Sequence, residues 1–277
     1  MSCTWTTSRE YSDFINVIAR GDMGVLSTLY QPTKKGTVLV GEAIYINMED
    51  PANHTVTSPS CTAFLAGQNC NDQVALNKAL LVDKQCIDDC AILAVDKAEK
   101  GKAIVIAMLN TLIPLIYADA IANGTEIKSD ATPTAAQLQA AFMQAMLAIK
   151  ANGGYPGCIV LDLTTAASTL AGFGALYQPA PMVEIDFSYG PGTPLGNILG
   201  WPVFVTPTNL ADAAATPVQV DGLVIAKMGY AYAYQGENFG ISIEEERHDA
   251  TNNVIGSLCA GYGFTNAALV YYISRED

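Results

Sequence analysis

Apolar residues recur along the chain in two rhythms, one of helices and one of strands. Over residues 11–19, Phe14, Ile15 and Ile18 fall on one face of a helix. Gly21, Asp22 and Gly24 end the pattern. A helix so short is marginal by itself, so this piece reads as an arm that needs something to lie on. The helical rhythm is clearer over 134–151, where Leu138, Phe142, Met146 and Ile149 form one stripe. Thr134 and Gln137 fit a capping box behind Pro133, and Asn152, Gly153 and Gly154 end the helix. A longer helical region follows the acidic pair Asp88 and Asp89, fed by Ile92, Leu93 and Val95. Gly101 and Pro114 are expected to bend or split it, and Asn123-Gly124 to close it. Its most apolar part, 103–122, is interrupted by Asn110, Thr111, Pro114 and Asp119. The clean run is then shorter than the ~20 residues a bilayer requires, which favours a buried core helix over a membrane segment.

Strand-like runs occupy much of the remainder. Residues 37–40 and 43–46 precede a turn at 49–53, and 55–57 is expected to return as a second strand. Residues 58–73 are rich in Ser, Thr, Cys, Gly and Asn. A lone two-stranded excursion is not stable in water, so this one is expected to lie against a neighbouring molecule. Short runs at 75–76 and 80–82 are also strand-like. Residues 158–162 read as a buried strand, with Thr164 or Thr165 capping a short helix towards Leu176. Residues 196–207 read as strand, tight turn, strand. After the strand-like 223–226, Tyr230, Tyr232 and Tyr234 alternate with Ala231 and Ala233, giving one bulky face and one flat face suited to a helix. Ile241 and Ile243 alternate with polar neighbours, and 254–273 is strand-like. No internal repeat is present.

Composition sharpens this picture. The 277 residues fit one large domain or two. Hydrophobic residues make up 50% and charged residues 15%, against about 25% charged in an average soluble domain. That excludes disorder. A net charge of −13 argues against electrostatic nucleic-acid binding, which needs a basic surplus. So thin a polar coat implies an unusually large core or a surface covered by further copies of the chain. Cysteines stand at 3, 61, 70, 86, 90, 158 and 259 without a Cys-x-x-Cys pair. Cys86 and Cys90 can share a helix face, but two ligands without a nearby histidine (His54 and His248 are distant) are no zinc site. They read as reduced, mostly buried thiols. The first ten residues lack the features of a signal peptide, so a cytosolic protein is expected.

Catalytic signatures are missing from the sequence. There is no Gly-x-Ser-x-Gly elbow and no Walker A loop. The glycine pairs 172/174, 190/192 and 261/263 complete no dinucleotide fingerprint. His248 beside Asp249 ends the charged run Glu244-Glu245-Glu246-Arg247, which reads as a solvated face or a subunit salt bridge. The three glutamates lack calcium-loop spacing. No catalytic, cofactor-binding or metal-ligating residue is assigned, and no enzyme is expected.

The order of segments nevertheless resembles a known family: the major capsid protein of tailed bacteriophages, with the HK-97-type fold shared with encapsulin shells. Three stretches carry the likeness. Residues 80–124 resemble the strand and long spine helix of the family's peripheral domain. Residues 133–176 resemble the helix–strand–helix opening of its axial domain, through the turn Tyr155-Pro156-Gly157-Cys158-Ile159-Val160. The hairpin Gly196-x-Ile198-x-Gly200-Trp201-Pro202-Val203, followed by 222–226, resembles the family's Gly-x-Ile-x-Gly-aromatic-Pro-Val hairpin and the strand after it. The closing strands, from Glu244 to Tyr262-Gly263-Phe264, fit the same order.

The resemblance implies an α+β capsid fold in four parts. These are an N-terminal arm (1–30), an extended two-stranded loop (31–73), a peripheral domain with a spine helix (74–127 and 222–277) and an axial α/β domain (128–221). It implies a structural protein that self-assembles through hexamers and pentamers into an icosahedral shell around double-stranded DNA, in the virion, after assembly in the host cytoplasm. Partners would be further copies, a separate scaffolding protein, portal and decoration proteins, and packaged DNA bound without sequence specificity; no membrane and no cofactor is implied. An encapsulin-like compartment, a tail or connector protein, and an enzyme with an unusual α/β domain stay as alternatives. Only ~30 residues precede the loop, so any scaffold is expected to be a separate chain and no processing protease is indicated. Lys34 and Lys35 near the base of the loop do not settle whether subunits become cross-linked.

Overall fold

Long apolar stretches of this kind must bury their faces against one another, and here they do so as two β-sheets sharing one long helix. The computed structural model describes residues 24–31, 38–40, 43–49, 71–87, 94–179, 194–206, 210, 218–234, 241–248 and 251–275. In chain order the elements are α1 (Gly24–Thr28), β1 (Val38–Val40), β2 (Ala43–Glu49), β3 (Asn71–Ile87), α2 (Ala94–Asn123), β4 (Thr125–Ser129) and α3 (Ala135–Ala151). Then follow β5 (Cys158–Asp162), α4 (Ala166–Phe173), β6 (Tyr177–Pro179), β7 (Gly196–Ile198), β8 (Trp201–Thr206) and β9 (Val220–Ile225). The chain closes with β10 (Tyr230–Tyr234), β11 (Ile241–His248), β12 (Thr251–Phe264) and β13 (Val270–Arg275).

The first sheet has the order β1-β2-β3-β12-β10, with β11 also on β12. β12 is its hub. It pairs β3 along one edge, from Asn252↔Ile87 to Tyr262↔Asn77. Its other edge takes β11 and then β10, end to end. The second sheet has seven strands in the order β4-β13-β9-β5-β8-β7-β6. It is mixed: β5 runs parallel to β8 and β13 parallel to β4, while the other pairs are antiparallel.

Side chains alternate across a strand, and that alternation divides the core. Every residue of β5 is buried, because both faces of the second sheet are covered. Val160, Phe204, Leu223, Ile225 and Val270 face α2, in one cluster with Ile104, Leu112, Ile116 and Tyr117 of the helix. The same cluster takes Tyr230, Tyr232, Val254 and Leu258 from the first sheet. Ile159, Leu161, Val203, Val224 and Ile273 face the other way, onto Phe142, Met146 and Ile149 of α3 and Phe173 of α4.

The α3 capping box forms as the sequence indicates, with Thr134 and Gln137 bonded reciprocally, and the whole Leu138–Phe142–Met146–Ile149 stripe is buried. The predicted tight turn in 196–207 falls at Leu199 and Gly200, with φ of 51° and 87°. Two central residues with positive φ make the type I′ geometry that suits a two-residue hairpin.

Several expectations are corrected. Pro114 does not split α2, which runs unbroken for 30 residues, about 45 Å at 1.5 Å per residue. The carbonyl left without its partner belongs to Asn110, which is exposed to water. Cys86 sits in β3 rather than on a helix, and Cys90 lies outside the described residues. The bulky tyrosine face of β10, not the flat alanine face, takes the helix, because the Tyr230 hydroxyl reaches a carboxylate on α2. The flat face instead forms a small cluster of Ala231, Ala233 and Leu76, with Tyr30 packed against it. Thr165 is the first cap position of α4 but makes no side-chain capping bond; its hydroxyl donates to the Asp221 carbonyl at 3.3 Å. The arm helix at 11–19 and the return strand at 55–57 lie outside the described residues. The second sheet also draws β4, β9 and β13 together with β5, so it spans the divisions drawn from sequence at 127/128 and 221/222.

Candidate functional site

No catalytic group was assigned from sequence, so the features to weigh are surfaces and the joints that hold them. The first is a projecting ribbon. β3 is 17 residues long, but only residues 77–87 pair with β12. Residues 71–76 pair with β2 instead, and β2 carries β1. The ribbon therefore leaves the body as a continuation of one strand.

The second feature is the joint between α2 and the first sheet. Asp119 lies four residues before the end of α2, where the helix dipole disfavours an acid. Three donors compensate. The Tyr230 hydroxyl donates to Oδ2 at 2.6 Å, while the side-chain amides of Asn77 and Asn123 donate to Oδ1 at 3.2 and 3.0 Å. Burial, then the adjacent Asp119 charge, raises the Tyr230 phenol well above its usual range. One carboxylate thus ties the helix to β3 and β10. Beside this joint the backbone of Tyr30 bridges to β10, donating to the Tyr230 carbonyl and accepting from the Tyr232 amide, both at 2.9 Å. Val25, Leu26 and Leu29, just upstream, are fully buried. The segment before the ribbon is therefore anchored in the core.

Beneath α1 lie two buried polar side chains. Burial pushes the Cys158 thiol up to about 12, while a hydrogen bond with Thr28 pulls the other way. The Tyr117 hydroxyl is buried without a hydrogen-bond partner, and burial followed by the nearby Cys158 raises its phenol.

The third feature is a polar rim at one end of the second sheet, where β4, β5 and β13 finish and β9 begins. Asp221 is wholly buried, and Arg275 reaches its Oδ1 through Nε and a terminal guanidinium nitrogen, both at 3.0 Å. Ser129 donates to the Ser274 carbonyl at 3.0 Å, and Ser274 donates to Glu126 at 2.6 Å. Asp162, also fully buried, accepts from the backbone amides of Thr164 and Leu210 at 2.9 and 2.8 Å. Each acid is satisfied inside the protein, so the rim holds strand ends rather than a ligand.

The fourth feature is exposed apolar surface. On the face of β3 away from α2, Leu80 and Val82 are 63% and 67% exposed. At the α3 end of the second sheet Leu147 and Tyr155 are 61% and 70% exposed. Leu80 and Val82, two apart on one face of a strand, form an apolar patch that suits contact with another molecule.

Among the described residues no group of three His, Cys, Asp or Glu side chains could hold a metal ion. His248 ends β11, and its neighbour Asp249 lies outside the described residues. Cys158 and Cys259 are free, the first buried and the second partly so. Asp119 entered the sequence reading only as an interruption, and Asp221 and Arg275 did not enter at all. The one available signal was an acid inside the apolar run 220–226.

No protein-family model matches the chain, and no curated protein does either. Solved structures do. The capsid of the cyanophage P-SCSP1u superposes with a TM-score of 0.57 at 14% identity, covering 90% of this chain and 87% of that one. The chain has the HK-97-type capsid fold. A virus-like particle from Pyrococcus furiosus matches this capsid-fold chain at a TM-score of 0.53 and 14% identity, over 96% and 98% of the two chains. The capsid of a native GTA particle matches at 0.53 and 10%, over 93% and 91%. At these identities the likeness is one of fold.

Proposed function

We propose that this chain is the structural subunit of an icosahedral shell enclosing the double-stranded DNA of a tailed phage. The observation that carries this reading is the end-to-end match to capsid chains, supported by a ribbon that projects beyond its own core. Copies would gather into hexamers and pentamers through the second sheet and its helices. The part of the N-terminal arm before α1 and the ribbon of each copy would lie across its neighbours, while α1 itself stays docked on its own core. Residues 1–30 would serve as arm, 31–73 as loop, 74–127 with 222–277 as peripheral domain and 128–221 as axial domain, the shared sheet joining the last two. The acidic balance supports a lumen that holds phosphates loosely enough for DNA to be packed and released. A standard interface buries roughly 1,600 Å², and a subunit with several neighbours would bury a few times that, covering Leu80, Val82, Leu147 and Tyr155. A separate scaffold, a portal and decoration proteins would act with it, in the host cytoplasm before the virion is complete.

The likeness to a virus-like particle supports one second reading, a shell other than a phage capsid, for which an encapsulin-like compartment with protein inside is the alternative. Negative-stain microscopy of the expressed protein, alone and with candidate scaffolds, tests the shared claim. Closed shells or six-membered rings are expected. A monomer at every concentration, with or without scaffold, would overturn it. Nucleic acid or a co-purifying protein inside the shells would separate the two readings.

A further inference from the structure

We propose that the two sheets form in a fixed order, with the β3–β12 ladder closing the first sheet last, and that the chain cannot associate in an orderly way before it does. The second sheet contains an unbroken path, β9-β5-β8-β7-β6, whose strands all lie within residues 158–225. The helices over its outer face, α3 and α4, come from 135–173. Its longest ladders join residues 44 (β5–β8) and 61–67 (β5–β9) positions apart, much nearer in sequence than the β3–β12 ladder, which favours earlier formation. In the first sheet β11 and β12 are a local hairpin, but the union of β12 with β3 is not local. β3, β10 and β11 share β12 as their common partner, and among the described residues the other ladder partner of β3 is β2. The β3–β12 register joins residues 165 to 185 positions apart.

β12 also seats the spine helix. Gly256 lies where α2 crosses it, so closely that a Cβ there would sit 2.2 Å from Ile104 Cγ2 and 2.9 Å from Met108 Cε. Until β12 is in place, Ile104 and Met108 lack the strand that crosses closest beneath them, and β3 lacks the ladder that fixes the root of the ribbon. A chain at that stage has a formed second sheet but neither a braced helix nor a fixed ribbon. The order of folding rests on topology alone. Its bearing on association rests on the shell reading.

The test is pulse-labelled hydrogen exchange during refolding of the full chain, with sedimentation of the refolded product. Amides of β5, β8 and β9 are expected to gain protection in an early phase, and those of the β3–β12 ladder in a later one. Gly256→Val is expected to keep the early phase, lose the later one and yield no ordered assemblies. Gly222→Val, whose Cβ would meet the Val160 carbonyl at 2.5 Å, is expected to lose the early phase. Protection of all these strands in one phase, or of β3 before β5, would overturn the order. Ordered shells from Gly256→Val would overturn the gate. Two phases in a wild-type chain that never associates would leave the order standing and remove the shell reading.

Discussion

Removing Arg275 leaves a charge stranded. The Asp221 carboxylate is 0% exposed, while the Arg275 side chain that neutralises it is 24% exposed. In Arg275→Ala the carboxylate keeps only a share of the Ser129 hydroxyl, 3.4 Å away, whose one proton also serves the Ser274 carbonyl at 3.0 Å. Breaking one side of a buried pair costs about 3–5 kcal/mol, and water entering where the guanidinium stood brings the expectation to the lower end, about 3 kcal/mol. In a chain of this size each kcal/mol moves the melting point by roughly 2–4 °C, so a drop of roughly 6–12 °C is expected. Asp221→Asn removes the charge and keeps the shape. The double variant Asp221→Asn with Arg275→Ala should therefore be more stable than Arg275→Ala alone, because nothing charged is left behind. Thermal melts and urea titrations of unassembled subunits measure both comparisons. A single Arg275→Ala variant within about 0.5 kcal/mol of wild type, the range of ordinary surface changes, would refute the buried-pair argument. So would a double variant that loses the simple sum of the two single losses.

Leu199 holds a left-handed conformation that costs an L-residue roughly 1–2 kcal/mol. Leu199→Asn should therefore raise the melting point of the free subunit by a few degrees, read by calorimetry. Burial raises the phenols of Tyr117, Tyr230 and Tyr232 above the usual 10. The folded chain then holds more protons than the unfolded one above that pH, so this stabilisation is complete below pH ~10 and declines as the pH rises further. Ultraviolet titration should show these three ionising only on unfolding, and ionisation of all tyrosines in the native chain by pH ~11 would contradict it. Cys158, buried with its thiol pushed up to about 12, should resist alkylation until the chain unfolds, whereas the partly exposed Cys259 should label first of the two, as site-resolved mass spectrometry can show.

Local chemistry made some elements readable from sequence. Thr134 and Gln137 fix the start of α3 within one turn, and Gly200 fixes the hairpin between Ile198 and Trp201, because capping and turn geometry depend on residues close in the chain. The alternation of Tyr230 to Tyr234 predicted two unlike faces but gave the helix to the wrong one. Which face met the helix depended on Asp119, far away in sequence, whose carboxylate needed the Tyr230 hydroxyl. Pro114 looked like a break because its own cost is local, whereas the apolar side of α2 held between two sheets is a sum over distant residues that outweighs it. The same limit hid the membership of β4 and β13 in one sheet with β5, and with it the rim of Asp221 and Arg275. The order of segments and the motif at 196–203 carried the fold class through the resemblance; periodicity alone would have ended at a mixed α+β chain.

The ribbon's attachment has a mechanical consequence. β3 passes from ribbon to body without interruption, and its hold on the body is the ladder from Asn77 to Ile87. Tension on the ribbon tip runs along that strand and therefore across hydrogen bonds that lie perpendicular to it. All of those bonds share the load at once, instead of opening one after another from the end. A pull from outside would be resisted in shear, the stiffest direction the ladder offers, and would reach the spine helix through Asn77 and Asp119 before it loosened a single strand.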